Sequence, residues 1–134
     1  MEKKKITIIV EKTGTGFSAY AKEMAGIATA ADTISELKSN INEVLFYQIE
    51  YLNEKGDKVS IDDFEINYVV DLEQFFDYFS VINKSAFAEK YAGINQSLFR
   101  QYTKKLTPLS DDRLIQISNG LHKLADELSG IRVA

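Results

Sequence analysis

Phe64-Glu65-Ile66-Asn67-Tyr68-Val69-Val70-Asp71-Leu72-Glu73-Gln74-Phe75-Phe76-Asp77-Tyr78-Phe79 is the stretch in which the chain changes its hydrophobic period. Up to Val70 the residues first alternate and then run continuously apolar, the pattern of a strand buried in a sheet. From Asp71 onward, Leu72, Phe75, Phe76 and Phe79 recur at three- and four-residue spacing, which places them on one face of a helix that Asp71 can cap. The switch divides the 134 residues near 70–71, with no glycine- or proline-rich linker between the halves. Residues 1–70 are expected to form one domain and residues 71–134 another.

Upstream of that point, Lys5-Ile6-Thr7-Ile8-Ile9-Val10-Glu11 is rich in β-branched residues and ends at the turn signal Thr13-Gly14-Thr15-Gly16. Phe17-Ser18-Ala19-Tyr20-Ala21 then alternates again, so a hairpin is expected. The two glycines do not make a phosphate loop, because they join two strands and no Gly-Lys-Ser/Thr ending or helix follows. Met24 to Ala30 can add a short third strand. Thr33-Ile34-Ser35-Glu36 fits a capping box, and Ile34, Leu37, Ile41, Val44, Leu45 and Leu52 give the helix behind it an apolar stripe. Phe46, Tyr47 and Tyr51 widen that stripe or sit at its edge. The polar run Glu54-Lys55-Gly56-Asp57-Lys58 should end the helix near Asn53. The first half therefore reads β-β-(β)-α-β.

Downstream, four helical segments are expected and no strand. The first follows Asp71, and Lys84 to Tyr91 make a second. A third, after Ala92-Gly93-Ile94-Asn95, carries Leu98, Phe99, Tyr102 and Leu106. A fourth is capped by Ser110 and carries Leu114, Ile117, Leu121, Leu124 and Leu128. The fold class is α+β: a small mixed domain followed by an all-α one.

Composition narrows the chemistry. The chain has no cysteine and one histidine, His122, which excludes disulfides, zinc–thiolate sites and thiol nucleophiles. Asp62-Asp63 offers two carboxylates with no third ligand evident, and Glu11 is the only carboxylate on the first strand, where metal-dependent hydrolysis of RNA needs several converging on the ion. No enzyme activity, cofactor or metal is expected. The apolar run Ile6–Val10 stops too soon for the core of a signal peptide, and no run reaches membrane-spanning length. A cytoplasmic protein with no membrane contact is expected.

The net charge of −4 is unevenly distributed. Residues 1–70 hold 8 Lys and 12 Asp/Glu, residues 71–134 hold 8 Lys/Arg and 8 Asp/Glu, and all the excess acid lies in the first half. Within the second half, Lys84, Lys90, Arg100, Lys104 and Lys105 face only Glu89 over residues 84–106. Two short helices joined by a glycine-containing turn, the second basic on its outer face, describe a helix-turn-helix. Burial of Ile94, Leu98, Tyr102 and Leu106 would set the angle of that second helix. Gln96, Ser97, Arg100, Gln101 and Lys104 would face outward, Arg and Gln suited to base edges and Lys84, Lys104 and Lys105 to phosphates. Glu36, Glu43 and Glu50, seven apart on the long helix, form either a solvated face or an acidic surface for a basic partner.

Two stretches carry a family resemblance. Gly16-Phe17-Ser18-Ala19-Tyr20-Ala21 with Gly26-Ile27-Ala28-Thr29-Ala30-Ala31-Asp32-Thr33 resembles the N-terminal domain of the HicB antitoxins of bacterial toxin–antitoxin pairs. Asn83-Lys84-Ser85-Ala86-Phe87-Ala88 with Gly93-Ile94-Asn95-Gln96-Ser97-Leu98-Phe99-Arg100-Gln101-Tyr102 resembles the helix-turn-helix variant of the same family. Ala88 and Gly93 lie five apart, one more than such motifs usually show. The resemblance implies a partial ribonuclease-H-like domain without catalytic function that covers a HicA-type RNA-cleaving toxin. It also implies a second domain that represses the operon by binding operator DNA, with Asn95 joining Lys84, Gln96, Ser97, Arg100, Gln101, Lys104 and Lys105 in the contact set. Such proteins act as homodimers or higher homo-oligomers. The alternative is a stand-alone helix-turn-helix regulator whose first domain dimerises or senses a ligand.

Overall fold

The computed structural model describes residues 3–134, which form an α+β fold with a four-stranded mixed sheet and five α-helices. The chain divides into two compact units, Met1–Asp71 and Leu72–Ala134.

In the first unit, β1 (Lys4–Lys12), β2 (Phe17–Ala21) and β3 (Ala28–Ala31) form an antiparallel meander. Helix α1 (Ile34–Glu54) then crosses over, and β4 (Phe64–Val70) returns parallel to β1, so the sheet order is β3-β2-β1-β4. A parallel return needs a connection of a dozen or more residues, which α1 supplies. Alternation in β1 buries Ile6, Ile8 and Val10, and β2 buries Phe17 and Ala19 beside them. Helix α1 buries Leu37, Ile41, Leu45 and Ile49, a ladder at i+4 spacing. Thr33 caps α1, its hydroxyl accepting from the Glu36 N–H at 3.1 Å. The aromatic residues Phe46, Tyr47 and Tyr51 lie outside the ladder and are exposed, at the edge of the stripe. Asp62 and Asp63 belong to a single 3-10 turn, Ile61–Asp63, in which the Asp63 carboxylate accepts from the Ser60 N–H at 2.9 Å. Among the described residues, no three His, Cys, Asp or Glu side chains cluster as metal ligands would. Among the described residues, no helix is long and apolar enough to cross a membrane.

Gly16 closes the first turn, where the Thr13 N–H donates to its carbonyl at 2.8 Å. A β-carbon on Gly16 would run into the carbonyl oxygen of Ala31 on β3, which is backbone and cannot move aside alone, whereas one on Gly14 would meet open space. Gly16→Ala is therefore expected to destabilise the chain by about 1–3 kcal/mol in urea unfolding. Gly14→Ala should stay within about 0.5 kcal/mol of the parent.

The second unit holds α2 (Leu72–Tyr78), α3 (Lys84–Phe87), α4 (Gln96–Thr103) and α5 (Asp111–Leu128). Its core centres on a triangle of rings: Phe76, Phe87 and Phe99, with centroids 5.4–5.8 Å apart. Ala88, Ala92, Ile94, Tyr102 and Ile117 close around them. One expectation needs correction. Leu106 does not anchor the third helix: it is 73% exposed and lies beyond the end of α4. Phe99, at 1% exposure, takes the anchoring position. In α5 only Ile117 of the leucine-rich stripe is buried, while Leu114 and Leu128 are exposed.

Candidate nucleic-acid interface

Asn83 starts α3, its Oδ1 accepting from the Ala86 N–H at 3.0 Å. After one α-helical turn the chain widens into a π-turn over Ala88–Ala92. Gly93 ends it with φ +67°, and both its N–H and that of Ile94 donate to the Ala88 carbonyl. The extra residue between Ala88 and Gly93 is thus taken up inside the helix, with the connection behind it kept short. Helix α5 holds this segment in place. Gln116 Nε2 donates to the Ala92 carbonyl at 2.6 Å, and Gly120 leaves room for the Tyr91 backbone, which an added β-carbon would approach to 2.9 Å. Tyr91 donates its hydroxyl to Glu127 Oε2 at 2.7 Å, and that bond, aided by desolvation and the carboxylate charge, holds the phenol above its usual range.

Asn95 then caps α4, its Oδ1 accepting from the Ser97 and Leu98 N–H groups at 2.9 and 3.4 Å. Tyr102 and Phe99 turn α4 inward, with Leu98 half-buried beside them. Gln96, Arg100 and Lys104 fall four residues apart along one ridge. That ridge and the start of α3 line a single cleft of about 390 Å³, walled by Asn83, Lys84, Ser85, Gln96, Phe99, Arg100 and Lys104. Three cations and three short polar side chains converge on one concave surface, an arrangement suited to phosphate oxygens, with Arg and Gln able to reach donors and acceptors beyond them.

Of the residues expected at the interface, the cleft brings together Lys84, Gln96, Arg100 and Lys104 and leaves four outside its walls. Asn95 uses its side-chain oxygen as the cap of α4. Gln101 accepts from the Thr107 hydroxyl at 2.6 Å. Ser97 is exposed in the first turn of α4. Lys105 follows the helix in the left-handed conformation, φ +60°. There the Lys105 and Leu106 N–H groups donate to the carbonyls of Tyr102 and Gln101, a Schellman-type end built without glycine. Asn83 and Ser85 were not singled out as contact residues from the sequence. Their signal is the cap position itself, since a capping asparagine and the residues after it flank Lys84.

Left-handed backbone favours glycine. Lys105→Gly should raise stability by about 0.5–1 kcal/mol, read as a higher melting temperature. A loss of DNA affinity in the same variant would place the Lys105 ammonium against phosphate.

Comparison with protein-family models, with curated proteins and with solved structures finds no match to this chain.

Proposed function

We propose that the chain is an antitoxin-repressor: its first unit covers a HicA-type mRNA-cleaving toxin, and its second represses the operon that encodes both. The observation that carries this reading is the cleft in which Lys84, Gln96, Arg100 and Lys104 meet. A short helix anchored by Phe99 and presenting a cationic ridge beside the start of its predecessor is how a helix-turn-helix addresses the duplex. The β-β-β-α-β order of the first unit, with β4 returning parallel to β1, supports the partial ribonuclease-H-like reading. Its acidity favours a basic partner, since opposite charge speeds encounter and a covered active site cannot reach RNA.

The deciding experiment expresses the small reading frame beside this gene, with and without this chain supplied in trans. Growth arrest relieved by the chain supports the antitoxin role. Toxicity that it cannot relieve overturns it.

A second reading, a stand-alone DNA-binding regulator with a ligand-sensing first unit, is favoured by one observation. Asn42, Phe46, Ile49, Val59 and Ile61, with polar neighbours, line a mostly apolar cleft of about 420 Å³ in that unit, large enough for a small molecule. Operator binding that needs no partner protein and shifts with an apolar small molecule would favour it over the antitoxin.

A further inference from the structure

The loop that leaves α4 folds back onto the helix it ends. The Leu106 N–H donates to the Gln101 carbonyl at 2.9 Å, and the Lys105 N–H to that of Tyr102 at 3.1 Å. The chain thereby reverses and brings Thr107 alongside Gln101. Pro108 follows, and a proline keeps the residue before it in extended conformations. From this restricted position the half-buried Thr107 donates its hydroxyl to Gln101 Oε1 at 2.6 Å. So short a distance belongs to an O–H donating to an oxygen, since an amide N–H donating to the hydroxyl would stand at about 2.9–3.0 Å. The Gln101 amide is therefore held one way round, its oxygen turned toward the loop and its NH2 group left to face outward.

The outward direction matters because of where Gln101 sits. Ser97, Gln101 and Lys104 recur at i, i+4 and i+7, on the side of α4 turned away from the buried Phe99, Tyr102 and Thr103. That is the side a recognition helix lays against base edges, and Gln101 lies on it outside the walls of the cationic cleft. A glutamine free to turn reads adenine with both ends of its amide, the oxygen accepting from N6 and the nitrogen donating to N7. Gln101 does not present that pair, because its oxygen is aimed at Thr107. It presents two hydrogens, and guanine is the base whose major-groove edge offers two neighbouring acceptors, O6 and N7. Against adenine, one of those hydrogens meets the N6 amino group, donor against donor.

We propose that Gln101 reads guanine and rejects adenine at one position of the operator, and that Thr107 is the positioning residue that sets this choice. The inference rests on the DNA-binding reading of the second unit and names a base that this reading leaves open.

The test is selection of duplexes from a random-sequence library by the full chain, followed by fluorescence anisotropy on the enriched duplex and on single-base changes of it. One position should specify guanine, and adenine there should weaken binding by at least about fivefold. Gln101→Ala should make that position indifferent and leave the rest of the motif as it was. Thr107→Val and Thr107→Ala both remove the hydroxyl, and either should bring adenine to within about twofold of guanine, while Thr107→Ser should restore the preference. A merely structural role for Thr107 would instead weaken binding to every base alike. Because Gln101 is exposed, Gln101→Ala tests the guanine contact whatever Thr107 does for the fold. An unchanged motif in Gln101→Ala, or adenine at the position that this variant loses, overturns the proposal. A full guanine preference in the two Thr107 variants overturns the positioning role. A parent chain that enriches no sequence overturns the DNA-binding reading together with the proposal, so the two failures are told apart.

Discussion

Alanine at Phe99 is expected to cost the second unit about 3–5 kcal/mol, the usual penalty for removing a fully buried aromatic ring. That is a large share of the roughly 5–15 kcal/mol by which domains are stable. The ring sits edge-on to Phe76 and Phe87 at 5.4 and 5.8 Å, so its loss removes two aromatic contacts as well as buried area. It also lines the cationic cleft, so the angle of α4 should go with it. Denaturant unfolding followed by circular dichroism measures the effect, with Leu106→Ala as the control. The exposed leucine should change stability by no more than about 0.5 kcal/mol. A loss at Leu106 as large as that at Phe99 would mean that Leu106 shares in anchoring the helix.

Arg100→Ala combined with Lys104→Ala is expected to remove most specific DNA binding while leaving the fold intact, because both side chains are exposed. Each lost phosphate contact lowers the slope of log affinity against log salt by about one unit, so the double variant should flatten it by up to about two. If Arg100 reads a base edge instead, its share appears as about 1–3 kcal/mol of lost sequence preference with little change in slope. Fluorescence anisotropy on the upstream DNA at several salt concentrations separates the two. An unchanged slope and unchanged affinity would mean that the ridge does not face DNA.

Much of the fold was legible because it rests on periodicity. The change at Asp71 separates sheet from helices, Thr33 marks the start of α1 through its hydroxyl, and alternation in β1 and β2 names the buried strand residues. Ile49 escaped the α1 stripe because the sequence around it offers several apolar residues, and only contact with the sheet selects the 37-41-45-49 ladder. Leu106 was misplaced for a different reason. The three- and four-residue spacing continues through it, but α4 stops at Thr103 and turns at Lys105, a left-handed end that no glycine announces. At the candidate interface, helical spacing was enough to put Arg100 and Lys104 on one outward ridge. That Lys84 joins them across the turn is a tertiary fact, set by how α3 packs against α4. The π-turn left one trace in the sequence, the five-residue step from Ala88 to Gly93, since Ala-Glu-Lys-Tyr-Ala has the composition of any ordinary helical segment.

That wider turn bears on how the chain tolerates length. One residue added to an α-helix rotates everything after it by about 100°, enough to swing a cationic ridge away from the surface it is meant to share. By winding five residues through a single wider loop, the Ala88–Ala92 segment gains a residue of length without handing that rotation on to Gly93 and α4. Chain length and angular phase are thereby uncoupled at the one point where the bearing of Arg100 and Lys104 toward Lys84 is decided.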